Sequence, residues 1–179
     1  MSLVLTEEQS FLKDSAKKFA QDKTPTTHFR EVRDSENEKC FDSDIWQEMV
    51  KLGWSGILIP EEYGGSNFGV AGISSILEEL GKTLTPSPLF STAVVGVSLL
   101  KHANEDLKKN LLPKVAEDGL TLAFALEESS HHNPRKIGCA AKKKGSDYIL
   151  NGEKTFVIDG TFADKIIVAC RTSGKEEAK

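Results

Sequence analysis

The sequence predicts an α+β protein that places its helices first and its strands afterwards. Two observations carry this. From Thr6 to about residue 118, apolar residues recur at the three- and four-residue spacing of one helical face. Between residues 120 and 170, short apolar runs bounded by turn residues take over, as strands require. A third observation narrows the class: helices and strands do not alternate, so the pattern of a doubly wound parallel sheet is missing. The expected organisation is a helical domain over residues 1–118 and a β-domain over residues 119–179.

The first helix starts at a capping box, with Thr6 as N-cap and Gln9 three residues on. Leu12, Ala16, Phe19 and Ala20 then form one apolar face, leaving Lys13, Lys17 and Lys18 outward. The helix fades before Thr24-Pro25, because the residue before a proline disfavours the α region. Residues 24–41 read as a loop with one short helical piece. A second helix begins near Ser43 and buries Ile45, Trp46, Met49 and Val50, with Gly53 as the left-handed residue past its end. Trp54 to Gly65 is a rigid connection broken by Pro60 and a Gly64-Gly65 turn. Ile73, Ile76, Leu77 and Leu80 mark a third helix closed by Gly81. Residues 89–102 are apolar on nearly all sides (Val94, Val95, Val97, Leu99, Leu100), which places that helix in the middle of a bundle. Leu107 to Leu112 and Pro113 to Glu117 form a last pair, split by Pro113.

Through Asp118-Gly119 the chain enters the strands. Thr121 to Leu126 is one; Tyr148 to Phe156 reads as a hairpin turning at Asn151-Gly152, a dipeptide that tolerates positive φ at both loop positions. Lys165 to Cys170 is another strand, and residues 171–179 look like a solvated tail. Asp159-Gly160 is a further tight turn.

Composition excludes several classes. Hydrophobic residues make up 39% and charged residues 28% of the 179, typical of a globular chain rather than a disordered one. A net charge of −4 argues against a nucleic-acid partner. Lys142-Lys143-Lys144 before Gly145 reads as a solvated strand end and turn rather than a phosphate contact. Cys40, Cys139 and Cys170 contain no CxxC pair and suggest reduced thiols. His131-His132 reads as a solvated loop, not a metal site, and no metal is expected. No apolar run approaches the ~20 residues that span a bilayer, and the N-terminus lacks the basic flank and apolar core of a signal peptide. The expected location is cytoplasmic.

Three blocks, in order, resemble the flavin-dependent acyl-CoA dehydrogenase family: Gly53-Trp54 into Pro60-Glu61-Glu62-Tyr63-Gly64-Gly65, then Glu78-Glu79-Leu80-Gly81; Leu111-Leu112-Pro113 ahead of Ala123-Phe124-Ala125-Leu126-Glu127-Glu128; and Tyr148 to Lys154, followed by Ala163-Asp164 and Val168-Ala169-Cys170-Arg171-Thr172. The likeness covers nearly the whole chain, and about the first half of a typical member. It implies an N-terminal helical domain followed by part of an antiparallel β-barrel domain. It implies FAD as cofactor, an acyl-CoA thioester as substrate, and a homo- or hetero-oligomer with an unspecified electron acceptor. The catalytic glutamate of the family lies in a C-terminal bundle, and no residue here corresponds to it. Glu127 and Glu128 are not read as substitutes, so no catalytic residue is assigned.

The resemblance also implies the cofactor-binding segments. Phe124, Ala125 and Leu126 match the first flavin strand, Glu127 stands where the family has threonine, Glu128 matches its glutamate, and Ser129 replaces its proline. The family's Gly-Ser-Asp loop becomes Ser130-His131-His132-Asn133-Pro134, with Asn133 the candidate substrate contact. The second segment, usually Trp-Ile-Thr, reads Phe156-Val157-Ile158, so an aromatic remains while Ile158 has no donor. From sequence alone Phe156 and Phe162 read as core aromatics; the resemblance makes Phe156 a ring-stacking candidate. Two outcomes follow: an FAD-dependent enzyme, or a partner subunit that keeps the fold without flavin.

Overall fold

The computed structural model describes residues 4–174; the last part of the expected tail, residues 175–179, lies outside the described residues. The α+β class is the one observed. The chain forms two compact units that divide between Thr121 and Leu122.

In the helical unit, α1 (Glu7–Lys23) opens on the expected capping box. The Gln9 N–H donates to the Thr6 hydroxyl at 3.2 Å, and the Thr6 N–H donates to the Gln9 side chain at 3.1 Å. Ala16, Phe19 and Ala20 are buried, and the Phe19 ring meets Trp54 edge-on at 5.0 Å. The short helical piece between residues 24 and 41 is α2 (Thr26–Asp34), which has no fully buried residue. α3 (Ser43–Lys51) is capped by Asp42, whose carboxylate accepts the Asp44 and Ile45 N–H groups. It buries Ile45, Trp46, Met49 and Val50, and Gly53 follows at φ +78°. A 3-10 turn (Glu61–Tyr63) leads to α4 (Val70–Lys82), which packs along α1. Lys13 of α1 points outward onto α4, where it meets Glu78 at 2.8 Å. Exposed pairs of this kind add little stability, so Ile73, Ile76 and Leu80, all buried, carry the contact.

Three helix details depart from expectation. Gly81 does not close α4, which continues to Lys82. The left-handed residue is Leu84, at φ 56°. Thr85 N–H donates to Leu80 O and Leu84 N–H to Gly81 O, the paired bonds of a Schellman cap. Second, the apolar segment after α4 is a π-helical stretch (Phe90–Gly96) running into α5 (Val97–Leu100). It is not buried all round: Leu89, Ala93 and Val97 are sealed, while Val94 and Val95 are half-buried and Phe90 is exposed. Third, Pro113 does not start a new helix. It ends α6 (Glu105–Pro113) in helical geometry and passes into a π turn (Lys114–Asp118). The wider turn accommodates the missing proline N–H without breaking the rod.

Gly119 then turns left-handed at φ +73° and takes the Trp46 indole N–H on its carbonyl at 2.8 Å. A Cβ there would stand 2.8 Å from Val50 and 3.0 Å from Trp46. The core around Met49, Trp54, Ile59, Ile76, Leu112 and Val115 closes against this end.

The β unit holds β1 (Leu122–Ala125), β2 (Ala140–Lys144), β3 (Asp147–Asn151) and β4 (Lys165–Val168). β2 and β3 pair antiparallel, with Lys144 opposite Asp147. The hairpin therefore turns at Gly145-Ser146 rather than at Asn151-Gly152, and Lys142 to Lys144 are the solvated strand end read from sequence. Gly145 supplies positive φ, at +65°. Gly152 serves close approach instead: a Cβ on it would lie 2.6 Å from the Cys139 Cα. β1 and β4 pair parallel, Leu122 opposite Lys165. An isolated bridge between Ala140 and Arg171 links the two pairs.

Leu84→Gly should stabilise the helical unit by up to about 1 kcal/mol and so raise its urea midpoint, because it removes the cost of a side chain in the left-handed region. An unchanged or lower midpoint would show that Leu84 contributes more by packing than it loses by strain. Gly119→Ala should cost about 1–2 kcal/mol in the same assay.

Candidate functional site

The residues singled out from sequence lie in the β unit, on three segments that are far apart in the chain. The first is β1 and its continuation to Glu128. β1 is bonded along one edge to β4, and Ala169 N–H extends the pairing to Ala125 O at 3.0 Å. Ala125 is buried, while Phe124, Leu126 and Glu127 are half-buried.

The second segment, residues 152–158, crosses the end of the first. Lys154 Nζ donates to Leu126 O at 2.9 Å and to the Glu128 carboxylate at 2.8 Å. Thr155 N–H donates to Glu127 O at 2.9 Å. These bonds divert the chain after Gly152 from the hairpin that Asn151-Gly152 suggested. They also set Phe156, Val157 and Ile158 beside the end of β1. Phe156 is 73% exposed and adopts φ 51°, a strained setting for a bulky residue. The reading of Phe156 as a core aromatic is therefore overturned. Phe162 is half-buried, and Ile158 is exposed. Asp159-Gly160 forms the expected turn, with Gly160 N–H donating to Val157 O.

The third segment is the loop from Ser129 to Pro134. Glu127 holds it: Oε1 lies 2.5 Å from His132 Nδ1, and Oε2 accepts the Asn133 N–H at 3.3 Å. Asn133 is thus brought next to the other candidate residues. His131 and His132 are exposed. Among the described residues no group of three or more His, Cys, Asp or Glu side chains is arranged to hold a metal ion. No helix among the described residues is long and apolar enough to cross a membrane.

Sequence reasoning missed the link that organises these segments. Glu128 accepts from Gly138 N–H at 2.6 Å and Cys139 N–H at 2.8 Å in addition to Lys154. Burial works against its charge, but the Lys154 bond and the Cys139 and Gly138 N–H groups outweigh it and hold the carboxyl at about 2. A carboxylate so stabilised is a poor proton acceptor near neutrality. The only signal in the sequence was a lysine two residues after Gly152, which says nothing about a partner 26 residues earlier. Ala125, Cys139, Leu150, Lys154, Val157 and Ile166 line a largely apolar cavity of about 410 Å³.

Comparison with known proteins agrees with this frame. The model of the acyl-CoA dehydrogenase N-terminal domain matches residues 6–118. The chain belongs to the acyl-CoA dehydrogenase family. It is 37% identical over 140 residues to an acyl-CoA dehydrogenase of Mycobacterium tuberculosis, covering 76% of this chain and 35% of that protein. The solved acyl-CoA dehydrogenase of Geobacillus kaustophilus matches with a TM-score of 0.79 and 30% identity, over 96% of this chain and 45% of that one. A solved FAD-dependent dehydrogenase matches with a TM-score of 0.73 and 30% identity, over 97% of this chain and 44% of that one. The chain spans less than half the length of each of these relatives.

The Glu128 carboxyl gives the β unit a signed pH dependence. Its pKa is depressed on folding, so its stabilisation is complete above pH 4.5 and is lost as the pH falls towards about 2. Glu128→Gln should remove this acid dependence and cost roughly 2–3 kcal/mol at neutral pH. Following the Gly138 and Cys139 amide resonances through an acid titration checks it; a variant that titrates like the parent would refute the assignment.

Proposed function

We propose that this chain supplies a flavin-facing wall of an FAD-dependent acyl-CoA dehydrogenase, which removes one hydrogen each from the α and β carbons of an acyl-CoA thioester. The observation that carries this reading is the convergence of residues 124–127, 156–158 and 133, through the Thr155 N–H bond to Glu127 O and the grip of Glu127 on Asn133. Family membership and the likeness to an FAD-dependent dehydrogenase support it.

The residues fit a flat, largely apolar ring. Phe156 offers an open aromatic face, and Ile158 beside it excludes water. Phe124, Ala125, Leu126 and Glu127 form the adjoining strand end, where the polar rim of such a ring would rest. When bound, the flavin supplies the hydride acceptor. Asn133 would meet the substrate from the loop. The base that takes the α proton is not one of the described residues. Glu128 is held ionised by Lys154, and both oxygens of Glu127 are engaged by its own loop. Tyr148, Ile149, Leu150 and Ile166 are exposed, which supports cover by further polypeptide or another subunit in the working assembly.

A second reading has a specific basis. Ile158 has no hydrogen-bond donor and Glu127 presents a carboxylate, so a flavin-free partner subunit in an assembly of related chains is the alternative. The two readings separate on the flavin absorbance bands of the purified assembly. The enzyme reading expects bound FAD, with Phe156→Ala weakening its affinity about tenfold, or ~1.4 kcal/mol. A colourless assembly that added FAD leaves colourless supports the flavin-free subunit instead.

A further inference from the structure

Glu127 touches two of the three converging segments in different ways. Its backbone carbonyl accepts the Thr155 N–H at 2.9 Å, which fixes the segment carrying Phe156. Its side chain reaches the other way, to His132 Nδ1 at 2.5 Å and to the Asn133 N–H at 3.3 Å. A carboxylate can only accept, so the bonded His132 Nδ1 carries the proton and the ring orientation is set. The two partners differ in setting: the His132 side chain is 75% exposed and that of Glu127 only 20%. The carboxylate is therefore the anchor and the imidazole the arm it holds.

The loop has little else to hold it. Ser129 Oγ donates to His131 O, Ser130 Oγ lies 3.2 Å from His131 Nδ1, and Lys136 N–H donates to Asn133 O. Among the described residues these other bonds run within the loop itself. Lys136 itself takes part in a β-bridge, and the next side-chain ties to the rest of the unit come at Ile137, Gly138 and Cys139, through Arg171 and Glu128. Among the described residues, release of Glu127 would leave residues 129–135 without a side-chain anchor outside the loop.

We propose that Glu127 is a positioning residue that clasps His132 and Asn133, and so holds the 129–134 loop as a formed wall at the rim of the flavin site. This rests on the flavin reading above. A single residue then couples the loop to the Phe156 segment, and the placement of Asn133 depends on it. The role belongs to this chain's own sequence, since it requires a side chain long enough to accept from two successive loop residues.

The test compares the parent with Glu127→Ala and Glu127→Gln in the full assembly, by amide hydrogen exchange and by FAD titration read from flavin fluorescence and visible circular dichroism. In Glu127→Ala, the amides of residues 131–136 should exchange about tenfold faster or more, while those of β2 and β3 stay as in the parent. FAD affinity should fall about tenfold with an altered visible dichroism. Glu127→Gln keeps one acceptor oxygen, enough for only one of the two bonds, and should recover part of both. Parent-like exchange in Glu127→Ala overturns the clasp. A loosened loop with unchanged FAD affinity and dichroism overturns the positioning role. A parent assembly that takes up no FAD overturns the flavin reading, and the role built on it, even when the exchange data show the clasp intact.

Discussion

The β unit depends on one largely sheltered cation. Lys154 Nζ sits between Leu126 O and the Glu128 carboxylate, with side-chain exposures of 9% for the lysine and 18% for the glutamate. A pair this sheltered is stable only when its remaining hydrogen-bonding capacity is filled. Here the Gly138 and Cys139 N–H groups do so on the carboxylate side. Three stretches of chain are pinned at one point as a result: the end of β1, the entry to β2 and the segment after β3. Removing either partner would leave the other charge buried, which is more costly than never having placed the pair there.

The helical unit is held differently. Its elements meet through apolar side chains, Met49, Trp54, Ile59, Ile76 and Leu112 among them, and polar groups mark its ends and turns. Trp46 bonds to Gly119 O, Thr24 to Thr85 and Tyr63 to Glu105. Each ties a helix or a turn to a point distant in sequence, and the polar side chains that reach the interior, such as Thr24, Ser55 and Glu79, are hydrogen-bonded there. The helical unit thus draws its stability from buried area, whereas the order of the β unit comes from a few charged and backbone contacts.

This difference explains what could be read from sequence. Capping residues, glycines at helix ends and apolar spacing act over a few positions, so Thr6, Gln9, Gly53 and the buried faces of α1 and α3 were legible. Leu84 was not, because a left-handed leucine breaks the preference for glycine that the reading relied on. At Pro113 the expected split of the segment falls one residue later, because the proline still belongs to α6 and the π turn begins at Lys114. In the sheet, Asn151-Gly152 carried the stronger local signal for a turn, yet Lys154 and Thr155 are drawn to Leu126, Glu127 and Glu128 across the unit. The candidate cofactor segments were named only through family resemblance. Their meeting point rests on bonds between residues 26 to 28 positions apart, which no local pattern encodes.

The parallel pairing of β1 with β4 has a consequence for how the unit is made. Leu122 finds its partner only at Lys165, so the hairpin, the loop and the crossing segment all intervene. High contact order of this kind slows folding, because the closure entropy of a long loop must be met before the pairing rewards it. On the ribosome, β1 emerges well before the strand it needs, with its apolar residues unshielded in the meantime. The most sequestered strand of the unit is thus the one with the longest wait during synthesis.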